Sequence, residues 1–485
     1  MKLSALLSIF SLDVALEFDV HIQGLQNDSR HIASGDLFIA YPGAVTDGRD
    51  YIQQAIQAGA VAVLYDSDNF SLDSDSVNTI PLIPMPQLSP KLAMIAMHFY
   101  HHPACQLSVT GVTGTNGKTT IAYQLAQAYD VLGSPAAYIG TIGQGDVHAL
   151  KPLANTTPDA LCIQHLLYDY VADGVQQVCM EVSSHALSLG RVEGVEFQQA
   201  IYTNLSHEHL DFHGSMEAYA KAKASLFAIP TVQCAIINQD DAYSMLMQQH
   251  VPPTCRLLTY GIDNASDVRA VTWETGMSGS TINVVSPWGQ HQLHTQSLGR
   301  FNLYNTLAVF TSLLASEIAS VDAVVDVMSQ LKPSPGRMEI VAQNPCVIVD
   351  YAHTPDALEN VLLTLVDLKP QTLWVVFGCG GDRDRTKRPL MGRVASQYAH
   401  VVVLTNDNPR NEDPELIIQE IRQGMPADSH IHSIADRRAA IQYALNNANA
   451  SDIILIAGKG HEDYQIIGAQ RFTFSDQYVV REILS

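Results

Sequence analysis

One stretch restricts the fold more than any other. From Cys105 to Leu132, CQLSVTGVTGTNGKTTIAYQLAQAYDVL, a β-branched apolar run enters a glycine-rich turn and leaves it as a helix. In such a turn glycines let backbone N–H groups close around phosphate oxygens, a lysine neutralises charge, and the next hydroxyl binds Mg²⁺. Gly114, Thr115, Asn116, Gly117, Lys118, Thr119 and Thr120 form the turn here, with Lys118 and Thr119 placed for the last two roles. The common GxxxxGK[ST] spacing asks for glycine where Val112 stands, whereas GxxGxNGKT is satisfied.

At 485 residues the chain exceeds the size at which a single core stops growing, so several domains are expected, three as a working number. Apolar residues make up 47% of it, too many for a disordered chain. Lys and Arg number 27 against 49 Asp and Glu, and the formal charge of −22 opposes binding to nucleic acid or an anionic membrane. An anionic ligand therefore needs a local positive pocket. The seven cysteines include no CxxC pair, as expected for reduced thiols of a cytoplasmic protein. In the opening MKLSALLSIFSLDVALEF, Asp13 and Glu17 interrupt the apolar run, so an amphipathic first helix is expected rather than a leader. No apolar stretch approaches the ~18 residues of a membrane span.

The expected fold is α/β in three domains. Residues 1–88 read as a small α/β domain, with GDLFIAYPG and AVAVLYD as strands around a helix from Tyr51 to Ala58. After the proline-punctuated NTIPLIPMPQLSP, residues 89–332 form a central domain containing the phosphate loop, ending at LKPSPG. Residues 333–485 alternate strands (CVIVDYA, TLWVVFG, HVVVLTN, DIILIAG) with helices, the pattern of a Rossmann-like, doubly wound domain. Each of these strands ends in a polar loop, where open parallel sheets place ligands.

The helix MEAYAKAKASLF carries two lysines that, at ~100° per residue, project in nearly opposite directions. Met216, Tyr219, Ala220, Lys223, Leu226 and Phe227 share one face, so Lys223 lies on the apolar stripe and Lys221 off it. Burial would make Lys223 a neutral, nucleophilic amine; a lysine snorkelling from the stripe is the alternative.

TGTNGKTT resembles the signature of the Mur ligase family and its folylpolyglutamate synthetase relatives. That resemblance implies ATP-driven amide formation, in which a carboxylate is phosphorylated and an amine attacks the acyl phosphate. MEVSSH, with Glu181, and NLSHEHLDFH, with His209, match the family in order; the usual Asp before that histidine is Glu208 here, and His207 and His213 read as structural. The resemblance implies that Lys118, Glu181, His209 and Lys223 are catalytic. It also implies that Thr119, Glu181, His209 and Lys223, the last carbamylated to N6-carboxylysine, serve Mg²⁺. ATP contacts carry over to the phosphate loop and to Asn305 in LGRFNLYN, Arg337 in PGRME, and Asp350 and His353 in VDYAHTPDA.

The C-terminal loops GCGGDRD, DNPR and GKGHED are similar to those of family members that join meso-diaminopimelate to UDP-N-acetylmuramoyl-L-alanyl-D-glutamate. Arg383, Asp407, Asn408, Pro409, Arg410, Gly458 and Glu462 then bind the amino acid. Arg410 reads its distal carboxylate as a bidentate fork and Glu462 takes the distal ammonium. An ordinary Asn-Pro turn is the other reading of DNPR. For the nucleotide-sugar peptide the resemblance implies Asn27, Ser29, Ala44, Val45 and Thr46, then Asn155, Thr156, Thr157, Ser183 and Arg191. Leu189 stands where a polar contact is often found, and Arg30 and Arg191 read equally as surface salt pairs. The implied partners are these small molecules, with no nucleic acid or membrane, and the chain is expected to be a monomer. A lysine-adding member, a folylpolyglutamate synthetase and a non-catalytic nucleotide-binding regulator are the rivals.

Overall fold

The computed structural model describes every residue except 13, 14, 16, 17, 44, 45, 73–79, 428 and 429. Asp13, Glu17, Ala44 and Val45 therefore lie outside the described residues. The chain packs as two compact units: Met1–Gly111 with Ser134–Gln198 and Ala228–Gln233, and Val112–Gly133 with Gln199–Phe227 and Cys234–Ser485. Among the described residues no helix is long and apolar enough to cross a membrane. None of the seven cysteines forms a disulfide.

The first unit opens with a helix of only five residues, Leu3–Leu7, and a 3₁₀ turn that Ser11 ends in a left-handed conformation. A first helix is thus present as expected from the sequence, with Leu3, Leu6 and Leu7 buried on one side. Four parallel strands follow in the order Gly24–Gln26, Asp36–Ala40, Ala62–Asp66 and Leu82–Met85. Asp36–Ala40 is buried along its whole length because both faces are covered, as in parallel sheets generally. Leu37 and Ile39 meet Leu3, Leu6 and the helix Leu92–Phe99, while Phe38 and Ala40 meet Ile52 and Ala55 on the other side. The same unit holds Ala136–Gly140 parallel to Gln177–Glu181, the strand that delivers Glu181 at its C-terminal end.

In the second unit Thr113 ends a strand, four residues turn, and the helix Lys118–Val131 begins. Cys234–Asn238 and Arg256–Gly261 pair in parallel. Three antiparallel strands, Val268–Gly276, Gly279–Ser286 and Gly289–Thr295, then form a meander that the alternating α/β expectation did not include. The helix Arg300–Ala315 is buried nearly all round, and its two inward amides, Asn302 and Asn305, bond each other at 2.8 Å.

The C-terminal sheet runs in the order Glu339–Gln343, Cys346–Asp350, Ile453–Ala457, Leu373–Phe377, Val401–Leu404, Ile431–Ser433. All neighbours are parallel except the first edge strand. The expected doubly wound arrangement is present, and the loops after Asp350, Phe377, Leu404 and Ala457 leave the same, carboxyl edge of the sheet.

Candidate active site

The phosphate loop owes its path to two glycines. Gly114 (φ +150°) and Gly117 (φ +89°) occupy backbone regions that favour glycine, and a Cβ on either would lie 1.8 Å from Thr203 Oγ1 or 2.5 Å from Asn305 Oδ1. Thr203 and Asn204 brace the loop from outside. The Thr115 N–H donates to the Asn204 carbonyl (2.8 Å), the Asn116 N–H to Asn204 Oδ1 (3.0 Å), and Thr203 Oγ1 to the Asn116 carbonyl (2.6 Å). The helix that follows has no side-chain cap at Gly117, so its first N–H groups and the positive end of its dipole face the loop.

Two lysines meet at one oxygen. Lys118 Nζ donates to the carbonyls of Gly114 (2.9 Å) and Thr115 (2.8 Å), and Lys223 Nζ donates to the same Gly114 carbonyl at 2.7 Å. Lys223 is 1% exposed and its ammonium lies 4.5 Å above the Tyr219 ring, whereas Lys221 is exposed. Burial first, then the Lys118 charge, drives the Lys223 pKa well below its ordinary value. The helix Met216–Ala224 that carries it starts at Ser215, whose hydroxyl caps the Ala218 N–H.

His209 takes a left-handed conformation (φ 57°) at the start of a four-residue helix. Glu208 places one carboxylate oxygen 3.8 Å from His209 Nε2 and the other 3.7 Å from His353 Nε2. Burial works to raise the Glu208 pKa, but the close approach of His353 and the His353, His209 and Lys118 charges hold it at about 2. His209 is pushed below its ordinary value by burial, which the Glu208 charge only partly opposes. His213 stacks on Tyr219 instead.

Asp350 is buried and accepts the Met338 and Ala352 N–H groups (2.8 and 2.7 Å); burial raises its pKa against the pull of the Arg337 charge. Arg337 lies 4.5 Å over the Tyr351 ring, and its buried Nε has no hydrogen-bond partner among the described residues, as suits a group awaiting a ligand. Asn116 reaches Asp356, three residues beyond His353, at 3.4 Å.

At the carboxyl edge of the C-terminal sheet the three expected loops are in contact. The Gly381 N–H donates to the Asn408 carbonyl (2.9 Å), and Arg410 Nη1 donates to the Gly381 carbonyl (2.8 Å). Asn408 Nδ2 donates to Glu462 Oε2 (2.9 Å). Gly458, at φ +111°, passes so close to Asp407 that a Cβ would lie 2.6 Å from its carboxylate. Pro409 is buried, and exposed Arg383 donates to the Asp382 carbonyl. Two buried cations here escaped the sequence reading: Lys459 and Arg388 are both 0% exposed. Their acidic partners lie far off in the chain or inside the motifs, so spacing offered no signal.

In the first unit Glu181 is 1% exposed, and its carboxylate accepts from Tyr138 Oη (2.5 Å), the Thr141 N–H (2.8 Å) and Thr141 Oγ1 (3.1 Å). All three donors are neutral, and Glu181 forms no ion pair among the described residues. A buried carboxylate so placed suits a hard cation, which fits the implied Mg²⁺. Around it Thr156 meets Thr141 (3.1 Å), Thr157 Oγ1 donates to the Glu181 carbonyl (2.8 Å) and accepts from the Ser183 N–H (3.0 Å), and Arg191 donates to the Thr157 carbonyl (3.0 Å). Asn155 is exposed beside them, and Leu189 is exposed. Asn27 donates to Tyr41 Oη (3.1 Å), Ser29 Oγ to Gln54 (3.2 Å), and the Thr46 carbonyl accepts the Gly43 N–H. Arg30 is spent in a surface pair with Asp28.

Three family models match the chain in succession: the Mur ligase family catalytic domain over residues 21–100, the Mur ligase middle domain over 112–313, and the Mur ligase glutamate ligase domain over 336–460. A UDP-N-acetylmuramoyl-L-alanyl-D-glutamate–2,6-diaminopimelate ligase of Chromobacterium violaceum is 44% identical over 470 residues, 96% of this chain and 94% of the relative. The protein of that name from Coxiella burnetii is also 44% identical over 470 residues, 95% of each chain. A solved structure of a ligase with the same name superposes with a TM-score of 0.70 at 37% identity, covering 100% of this chain and 99% of that one. The phosphate loop, the order of the motifs and these likenesses lead to one conclusion: the chain belongs to the Mur ligase family.

Proposed function

We propose that the protein is an ATP-dependent ligase that joins meso-diaminopimelate to UDP-N-acetylmuramoyl-L-alanyl-D-glutamate, a step in making cell-wall precursor. The observation that carries the choice of amino acid is the contact between the Gly380–Gly381 turn, Asn408–Arg410 and Glu462, which sets a guanidinium and a carboxylate in one loop cluster. The relatives' names support the same choice. Diaminopimelate is lysine with a second carboxylate at the far end. Lysine at this site would leave Arg410 unpaired and bring an ammonium towards it, so selectivity comes from lost attraction and added repulsion together.

Residues 1–88 receive the uridine diphosphate end, with Asn27, Ser29 and Thr46 as contacts. Asn155, Thr156, Thr157, Ser183 and Arg191 receive the peptide. Residues 89–332 bind ATP and residues 333–485 the amino acid, with Asn305, Arg337, Asp350 and His353 on the nucleotide.

The acceptor carboxylate attacks the γ-phosphorus of ATP and releases ADP. The amine of diaminopimelate then attacks the acyl phosphate carbon and expels phosphate, losing a proton. Lys118 and the open helix N-terminus hold the transferring phosphoryl charge, and the braced loop keeps attacking and leaving oxygens in line. By the family resemblance Thr119, Glu181, His209 and a carbamylated Lys223 would serve Mg²⁺, which would supply charge neutralisation to the phosphates. The chemistry of Lys223 suits carbamylation, since a buried amine with a lowered pKa adds CO₂ at nitrogen, loses a proton and becomes a carbamate anion.

The test is phosphate release from ATP with each substrate omitted in turn. Release that needs both the nucleotide-sugar dipeptide and diaminopimelate is expected. Release that proceeds equally well with lysine, or without any amine, overturns the proposal.

A further inference from the structure

Lys459 lies inside GKGHED, between two residues expected to bind the amino acid, yet no part of the reaction described above uses it. Its side chain is 0% exposed. Nζ donates to Asn408 Oδ1 and to Glu462 Oε2, each at 3.1 Å, and lies 3.8 Å from Asp407 Oδ1 and 5.5 Å from the centre of the Tyr464 ring.

These contacts settle the orientation of Asn408. Its Oδ1 accepts from Lys459 and from the Ile466 N–H (2.9 Å), so its Nδ2 must point at Glu462 Oε2, where it donates at 2.9 Å. Glu462 Oε2 therefore receives two donors and its carboxylate cannot swing freely. The Asn408 carbonyl, on the same residue, accepts the Gly381 N–H, so the amide fixed by Lys459 also ties the glycine turn beneath Arg410.

Charge points the same way. Asp407 and Glu462 are two carboxylates, 10% and 13% exposed at the side chain, and Lys459 is the one ammonium between them among the described residues, the nearby buried Arg437 being matched by Asp476. The trio carries a net charge of −1, suited to one further ammonium. Without Lys459 it carries −2 in a mostly buried place, where the two carboxylates repel each other. A buried ammonium is costly to desolvate, and hydrophobic packing would stabilise the fold as well, so its retention calls for a role in arrangement.

We propose that Lys459 is a positioning and specificity-determining residue of the amino-acid site. Its ammonium locks Asn408 and Glu462 in place and leaves the trio with a single negative charge for the distal ammonium of a diamino acid. This rests on the reading of the loop cluster as the amino-acid site.

The experiment is steady-state kinetics of the full chain as Lys459→Met and Lys459→Arg, varying diaminopimelate at saturating ATP and dipeptide, then varying ATP. The Met variant is expected to raise KM for diaminopimelate at least tenfold and leave KM for ATP within about twofold, and the Arg variant to recover part of the loss. Should the Met variant fail to fold, the Arg variant alone decides, because it keeps the charge and shifts the geometry: a selective rise in KM for diaminopimelate supports the role. Unchanged KM for diaminopimelate in a folded variant, or KM values for ATP and diaminopimelate that move together, overturns it. Wild-type turnover that ignores diaminopimelate overturns the proposed function itself, and is distinguished by being measured before any variant.

Discussion

The Gly114 carbonyl accepts from two lysines, and the two amines cannot be equivalent. Lys118 is half-buried at the helix start, where a phosphate would meet it, while Lys223 is sealed behind Tyr219 and has its pKa driven down. In the proposed function Lys118 meets ATP, and Lys223, with its pKa lowered, is the amine suited to modification. Lys223→Ala is therefore expected to abolish ligation while the chain remains folded, checked by product formation beside the thermal unfolding profile. Near-normal turnover would remove Lys223 from the machinery. In the C-terminal loop cluster, Arg410 is held over the glycine turn through the Gly381 carbonyl. Arg410→Ala should lower kcat/KM for diaminopimelate by at least about tenfold, since a charge-assisted pair is worth ~1.5–3 kcal/mol. An unaffected constant would refute the role. Both lysine placements in the Met216–Ala224 helix were legible in the sequence, because helical spacing alone separates Lys223 from Lys221. The pairing of Glu208 with His353 was not, because it joins residues 145 positions apart (353 minus 208).

Among the elements, the helix Lys387–Tyr398 shows how buried charge supports the C-terminal loops. Arg388 is 0% exposed, forks onto both oxygens of Glu412 (2.8 and 2.9 Å), and also reaches Glu420 (2.6 Å) and the Gly380 carbonyl (3.1 Å). Glu412 in turn accepts the Asp382 N–H, so the clamp holds the GCGGDRD loop. The hydrogen bond from Arg388 holds the Glu412 carboxyl at about 2, and Glu420 is lowered by its bonds to Arg385 and Arg388. Carboxylates depressed in the folded state add stability above their ordinary range near 4.5, and that stability is lost as pH falls towards 2. Arg388→Met should thus lower unfolding free energy by roughly 3 kcal/mol at neutral pH, as for a broken buried pair. It should also flatten the fall of stability between about pH 4.5 and 2. An unchanged acid limb would contradict this. Elements with strong local pattern, such as the strand, turn and helix around Gly114 and the alternating C-terminal strands, were readable because glycine spacing and apolar runs encode them directly. The meander Val268–Thr295 was missed, since its outer face alternates with residues such as Thr272, Glu274 and Gln292 that resemble loop composition. Arg388, Lys459 and Arg437, the last buried against Asp476, were missed because sequence reasoning places long cations at the surface unless a partner is in view.

For the whole molecule, a formal charge of −22 must coexist with binding of ATP, a nucleotide sugar and a dicarboxylic amino acid. The chain meets this by local means. Lys118 and a helix N-terminus are the groups proposed for the phosphates, Arg337 offers an unsatisfied Nε near the proposed nucleotide contacts, and Arg410 stands in a cluster whose acidic members are held by Lys459. Lys118 and Arg410 are held by backbone carbonyls and Lys459 by matched acids, so the acidic surface does not need to change sign. The central claim concerns which amine enters the product. Incubation of the full chain with ATP, the nucleotide-sugar dipeptide and an equimolar mixture of meso-diaminopimelate and L-lysine, followed by mass spectrometry of the product, tests it most directly. The diaminopimelate adduct should be formed and the lysine adduct be absent or a small fraction. A lysine adduct of equal or greater yield, or ATP consumed with no adduct at all, would contradict it.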